Sequence, residues 1–257
     1  MKKLLICAAV PREVKYIRKN LSSKKIRSSA AGLAFTAQTA SIQLTLLQTG
    51  SGIKNAESSI GSFLKEFRPD LILSLGFGGA LHEGLAAGEL VRASRIIFLR
   101  DEPKDALSPQ TSDISLPEPN LTDFPGRSMS LREGCIVTLE HPMTKPEIRN
   151  ILPDGIPFPV CDMETFALAT TAVRSQIPFF AVRAITDTSY QEIPREVFDL
   201  IDSSGKTSYA RLLISVLKKP GLVKTLIWLG LNSEKAAKSL GDLVKSVLES
   251  EAILCRE

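Results

Sequence analysis

Four side chains of this 257-residue chain stand where chemistry could be done: Glu13, Glu164, Arg183 and Asp187. Asp187 comes just after Phe179-Phe180-Ala181-Val182-Arg183-Ala184-Ile185, a run apolar enough to be a buried strand. A carboxyl at such a strand end is partly desolvated, and desolvation raises its pKa. To serve as an acid near neutrality it needs a rise of about three units from ~3.9, a cost of roughly 4 kcal/mol, which only a dry pocket sustains. Capping of the next turn is the alternative role for an Asp at this point. Glu164 opens a helix in Cys161-Asp162-Met163-Glu164-Thr165, and Glu13 follows the first apolar run. Acidic residues in a first helical turn often do no more than favour the helix dipole, so both readings stand for each. Arg183 lies near the end of an almost wholly apolar strand, where a cation is either paired or facing a ligand.

The rest of the inventory excludes several kinds of chemistry. There are two histidines, His82 and His141, too few for most zinc sites or His-based triads, so no metal is expected and acid–base work falls to carboxylates. The four cysteines (Cys7, Cys135, Cys161, Cys255) are far apart and show no CxxC spacing, as in a reduced, cytoplasmic protein. Gly50-Ser51-Gly52 and Gly76-Phe77-Gly78-Gly79 read as glycine turns after strands. Neither is GxGxxG after the first strand, and no suitably placed acidic residue follows the second strand to hold the ribose of a dinucleotide; no dinucleotide cofactor is expected. Such turns let backbone approach a ligand, or simply turn the chain.

The elements that must position these residues follow from periodicity. Leu4–Val10 reads as a buried strand, its apolar run too short for a signal peptide and cut off by Pro11-Arg12-Glu13. A helix follows over 12–20, then strands Leu33–Thr39 and Ile42–Gln48. The next helix runs to about Phe67, with Ala56, Ile60, Phe63, Leu64 and Phe67 on one face. Strands are expected at Leu71–Leu75, Glu89–Leu99, Gly134–Leu139 and Pro178–Ile185, with helices at Lys145–Leu152 and Asp162–Ser175. Residues 101–126 carry five prolines and read as a long loop. Alternation of strand and helix predicts an α/β fold of three layers, with a mostly parallel central sheet flanked by helices. Glu13, Gly76–Gly79, Glu164, Arg183 and Asp187 then converge on one sheet edge.

Two regions are expected: a catalytic domain over 1–205 and a C-terminal helical extension over 206–257. The extension reads as helices Tyr209–Leu217, Leu222–Leu231 and Ser233–Glu249. Residues 206–257 hold 9 basic and 5 acidic residues, so the whole net charge of +4 lies there. A basic tail of this kind suits an anionic surface or a solvated helical face; no nucleic-acid partner is expected.

The order of these motifs resembles the purine nucleoside phosphorylase superfamily, and within it the hydrolytic branch of methylthioadenosine/S-adenosylhomocysteine nucleosidases and futalosine hydrolases. The likeness rests on Ala8-Ala9-Val10-Pro11-Arg12-Glu13, Thr49-Gly50-Ser51-Gly52-Ile53, Pro69-Asp70 through Gly79, Asp162-Met163-Glu164-Thr165 and Val182-Arg183-Ala184-Ile185-Thr186-Asp187. It implies that Asp187 protonates the imidazole nitrogen of a purine as the base leaves an oxocarbenium-like ribosyl centre. Glu164 would hold a ribose hydroxyl, Met163 would pack on the sugar, and Glu13 with Arg183 would position or activate water. Gly76, Phe77 and Gly78 would line the substrate. Phe77 stands where the methylthioadenosine enzymes carry a small hydroxyl residue, as in the futalosine pattern. The arginine and serine with which phosphorylases surround phosphate near that turn are absent, which favours water as nucleophile.

The resemblance further implies a small-molecule nucleoside substrate, no cofactor and a homodimer. The run Leu212-Leu213 through Lys219-Pro220, Leu226-Ile227-Trp228-Leu229-Gly230 and Ser233…Ala236-Ala237 resembles the tail of hopanoid-biosynthesis-associated phosphorylase-like proteins. That likeness implies a lipid-linked, adenosylhopane-like nucleoside and peripheral contact of the basic C-terminal helices with a membrane. The alternatives are a phosphate-dependent phosphorylase and a nucleoside-binding protein without catalysis.

Overall fold

The computed structural model describes residues 1–20, 25–29, 32–38, 41–100, 111–115, 130–194, 219 and 221–254. Its first strand, β1 (Lys2–Ala8), is apolar throughout its buried part because it is covered twice. Leu4, Ile6 and Ala8 enter one core cluster, while Leu5 and Cys7 enter another on the opposite face.

The remaining strands are β2 (Lys25–Ser29), β3 (Gly32–Gln38), β4 (Ile42–Gln48), β5 (Leu71–Ala80), β6 (Leu90–Leu99), β7 (Thr111–Ser115), β8 (Arg132–Leu139), β9 (Val160–Asp162) and β10 (Phe179–Asp187). The helices are α1 (Pro11–Asn20), α2 (Ile53–Glu66), α3 (Lys145–Ile151), α4 (Thr165–Arg174) and α5 (Leu222–Leu254). Parallel pairings make the spine of the single sheet: β4, β1, β5 and β10 in one run, and β6, β8 and β9 in another. Antiparallel pairs β10–β6 and β5–β9 join the two runs, so β5, β10, β6, β8 and β9 close into a ring. Antiparallel β3 and β2 extend the sheet beyond β4, and β7 pairs with β6.

Helices lie on both faces, giving the expected three layers. Ile17 of α1 and Ala236, Leu240, Leu243, Val244 and Val247 of α5 pack with Leu4, Ile6, Leu44, Leu73 and Val182. Ala56 and Ile60 of α2, with Leu168 and Ala172 of α4, pack on Leu5, Leu47 and Ile72. A third cluster joins Ile148 of α3 to Ile97, Val137 and Leu139.

Four expectations are corrected. Gly76–Gly79 is not a turn: β5 continues to Ala80, because β10 pairs along it from Ile72 to Gly79. Residues 101–126 are not loop throughout, since β7 lies within them; the others of that stretch are outside the described residues. The helix expected from Asp162 starts at Thr165, because Asp162 ends β9 and its Oδ2 accepts the Thr165 N–H at 3.0 Å. The helices expected at Leu222–Leu231 and Ser233–Glu249 are one, the 33-residue α5, about 50 Å long at 1.5 Å per residue. Ser233 does not start a new helix, because its Oγ donates back to the Leu229 carbonyl at 2.7 Å. The expected helix Tyr209–Leu217 falls outside the described residues. No helix among the described residues is long and apolar enough to cross a membrane.

Candidate active site

The site forms where the sheet splits. On the side of β5 away from β10, the pairing with β1 ends at Cys7–Ser74, and β9 begins only at Gly79–Cys161. Gly76, Phe77 and Gly78 lie between, without a strand partner on that side. The N–H that Phe77 would give to a neighbouring strand instead donates to Glu13 Oε1 at 2.8 Å. This contact is made by backbone and so does not depend on the Phe77 side chain.

Glu13 is fixed from its own helix too. Pro11 sits at the first helical position of α1, where its missing N–H costs nothing. Glu13, two residues on, reaches back, and its Oε2 accepts the N–H groups of Ala9 (2.7 Å) and Val10 (3.0 Å). It therefore caps the helix and faces the cavity at once. Burial pushes its pKa up, against the pull of these N–H donors and of Arg183. Gly76 lets the backbone pass close to both groups: a Cβ would lie 3.0 Å from Glu13 Oε1 and 3.3 Å from Arg183 Cζ, so one of them would have to give by a few tenths of an ångström.

Arg183 stands behind this layer and is 2% exposed. Its Nε donates to Asp162 Oδ2 at 2.8 Å, and its Nη2 lies 2.7 Å from the same oxygen in an ion pair. Its other N–H groups go to Ser74, Thr165 and the Val182 carbonyl. Asp162 also accepts from Thr138 Oγ1 at 2.7 Å and from the Thr165 hydroxyl. The pair is a buried hub joining β5, β8, β9, α4 and β10. Removing one partner strands the other's charge, so Arg183→Met should lower stability by about 3–5 kcal/mol. Equilibrium urea unfolding measures this directly, and a midpoint unchanged from wild type would contradict the hub.

Because Asp162 caps α4, Glu164 is free for other work. It makes no side-chain cap bond; its Oε1 accepts the Gly52 N–H at 2.6 Å and the Ser51 hydroxyl at 3.1 Å. The first glycine turn thus meets the start of α4 in the cavity wall. Burial, with the charges of Asp162 and Glu13 nearby, pushes the Glu164 pKa up to about 7.

Asp187 is 3% exposed and does not cap the next turn. Its Oδ1 accepts from Thr186 Oγ1 at 2.7 Å, and its Oδ2 lies 2.6 Å from Lys145 Nζ. Burial raises its pKa, against the opposing pull of Lys145. Gly79 makes room: a Cβ there would lie 2.6 Å from Asp187 Oδ2.

Glu13, Phe77, Gly78, Met163, Glu164 and Asp187 all line one cavity of about 250 Å³, near the lower end of the ~300–1,000 Å³ small-molecule range. Leu139, Pro142, Met143 and Ile193 supply apolar wall. Gly76 and Arg183 are not on that lining; they back it. Sequence reasoning missed Lys145, Asp162 and the Ser51 hydroxyl. Lys145 carried a signal, being a cation in the first turn of a helix, against the dipole. Five carboxyl groups line the cavity: Asp162 is committed to Arg183, Thr138 and Thr165, while Glu13, Glu164, Asp187 and Glu192 are able to exchange protons or hold hydroxyls. The one basic side chain on the described lining, Lys145, is tied to Asp187.

The family profile described as the phosphorylase superfamily matches residues 3–218. The 5′-methylthioadenosine/S-adenosylhomocysteine nucleosidase of Listeria monocytogenes serovar 1/2a is 25% identical, over 83% of this chain and 97% of that protein. The nucleosidase of the same description from Hydrogenovibrio crunogenus is 26% identical, over 84% and 97%. In structure, the Campylobacter jejuni nucleosidase superposes with a TM-score of 0.71 at 19% identity, covering 97% of this chain and 100% of that one. Futalosine hydrolase of Helicobacter pylori gives 0.69 at 14% identity, covering 97% and 98%. These superpositions establish a shared fold.

Proposed function

The chain belongs to the phosphorylase superfamily, and from that premise we propose that it is a purine nucleosidase, hydrolysing the N-glycosidic bond of a 5′-substituted adenosine or related nucleoside. The observation that carries this reading is the cavity's polar set: Glu13, Glu164 and Asp187 face it, and no basic side chain on its described lining is free to hold phosphate. In this reading Asp187, protonated, gives its proton to N7 of the purine as the C1′–N9 bond breaks and its electron pair goes to the base. Glu13, ionised, takes a proton from water as the water oxygen bonds to C1′. Glu164 accepts a ribose hydroxyl, with the Gly52 N–H and Ser51 hydroxyl holding its other lone pairs. Met163 packs on the sugar, and Arg183, paired to Asp162 from behind, favours the ionised form of Glu13 by its charge. General acid and base each contribute about 10²–10⁴ in rate.

The names of the relatives, nucleosidases of methylthioadenosine and S-adenosylhomocysteine, support hydrolysis of a purine nucleoside. For the 5′ group the proposal is an apolar, adenosylhopane-like substituent handled at a membrane surface by a homodimer. Val223, Ile227 and Leu231 support it: they are exposed at successive four-residue steps on α5, with Lys224 beside them. The test is release of free base, followed by chromatography, from adenosines with small and large apolar 5′ groups, with and without phosphate. Phosphate should leave the rate unchanged, and release should be fastest with apolar groups. Strict phosphate dependence would make the protein a phosphorylase, and binding without release a non-catalytic nucleoside-binding protein.

A further inference from the structure

We propose that Lys145 is the positioning residue of the leaving-group acid, its ammonium orienting Asp187 and stabilising the carboxylate left when the proton passes to the base. The inference rests on the nucleosidase reading above and adds a residue to it. Lys145 Nζ lies 2.6 Å from Asp187 Oδ2, and the two side chains are 5% and 4% exposed. The ammonium is itself held, donating to the Thr188 carbonyl at 2.5 Å and more weakly to the Asp187 carbonyl at 3.4 Å. Its donors therefore point inward at fixed acceptors, and none is needed for solvent.

The local sequence makes this position unusual. Thr144 and Glu147 form a capping box, and Pro146 lies in the first turn of α3, so the helix start is rigid. A lysine there opposes the helix dipole, and burying it costs desolvation energy. Breaking two local rules at once, beside the candidate acid, marks a residue kept for its charge.

The consequence is chemical. As Asp187 gives up its proton, the O–H bond breaks, the N7–H bond forms and negative charge grows on the carboxylate. A preorganised cation in contact with Oδ2 stabilises that charge where it develops. Thr186 holds the other oxygen, so the carboxyl plane is fixed from both ends. The other titratable groups around Asp187 oppose ionisation or are neutral. Glu192, after β10, raises its pKa; the Cys161 thiol of β9 is itself pushed up to about 12 and stays neutral. Glu13, Asp162 and Glu164 complete the carboxyl groups of the cavity. Lys145 is thus the single cation on the described lining, and it faces the acid.

The test is the pH profile of kcat/KM for base release by wild type, Lys145→Met and Lys145→Gln. An opposite charge in contact lowers a carboxyl pKa by about 1–3 units. Without it, the alkaline limb, where activity falls as Asp187 loses its proton, should move up by about 1–3 pH units. An acid weaker by that much, at a Brønsted slope near one half, should transfer its proton about 3–30-fold more slowly in kcat, with little change in KM. In an Asp187→Asn background, either Lys145 variant should cost nothing further. A limb that stays in place, or an equal further loss in the Asp187→Asn background, would overturn the assignment while leaving the nucleosidase reading intact. Lys145→Gln carries the test if Lys145→Met does not fold. Should wild type release no base at all, the nucleosidase reading falls. A carbon-13 NMR titration of the Asp187 carboxyl in Lys145→Gln then decides the pairing, an unmoved midpoint counting against it.

Discussion

Asp187→Asn should lower base release by about 10²–10⁴-fold, because asparagine fills the same space but has no proton to give. The loss should fall on kcat, since the amide can still hydrogen-bond the purine and leaves the apolar walls untouched. The pH profile gives the sign. In wild type, activity falls as Asp187 deprotonates, and burial places that fall above the ordinary carboxylate range. In the variant this limb should vanish. A nitrophenyl riboside, whose leaving group departs as a stable anion, should be cleaved at nearly the wild-type rate. Equal losses on the nitrophenyl and purine substrates would sink the assignment of Asp187 as acid.

Glu13→Gln should cost a similar ~10²–10⁴-fold, by removing the base that takes the water proton. Here the acid limb is affected. Wild-type activity rises as Glu13 loses its proton, and burial sets that rise above the usual carboxylate pKa. The variant should lack the rise. The substitution is not silent structurally, because the carboxylate accepts three backbone N–H groups, from Ala9, Val10 and Phe77. A glutamine must turn its amide N–H₂ toward at least one of them, at a local cost of about 1–3 kcal/mol. Nucleoside binding, measured by calorimetry, should survive within a few-fold while turnover is lost. Turnover within about twofold of wild type would remove Glu13 from the mechanism.

The two substitutions separate the halves of one reaction. Asp187 and Glu13 stand on different elements, the end of β10 and the first turn of α1, and both reach the cavity because β1 and β9 leave a gap along β5. A leaving-group-independent loss in Glu13→Gln, against a leaving-group-dependent loss in Asp187→Asn, would distinguish base from acid without further structural work.

Much of this was written in the chain. Nearly continuous apolar runs required β1 and β10 to be covered on both faces, and the 3.6-residue stripe from Ala236 to Val247 required its helix to bury one side. The sequence also placed Glu13, Glu164 and Asp187 near element ends, where sheet edges gather ligands, and all three line one cavity. What it left open was which of two jobs each did, because capping and catalysis ask for the same residue types at the same positions. Partners decided that. Asp162 caps α4 and so releases Glu164, Asp187 turns to Lys145 and Thr186, and Glu13 does both jobs at once. Arg183 likewise read as paired or ligand-facing, and its pairing with Asp162, 21 residues away, placed it behind the lining. Lys145 was missed for the same reason: an ion pair between residues 42 apart leaves no periodic mark, and its one signal was a cation misplaced on its own helix. Local pattern records what each element must bury, whereas the ionisation and aim of a buried side chain depend on the groups that folding brings against it.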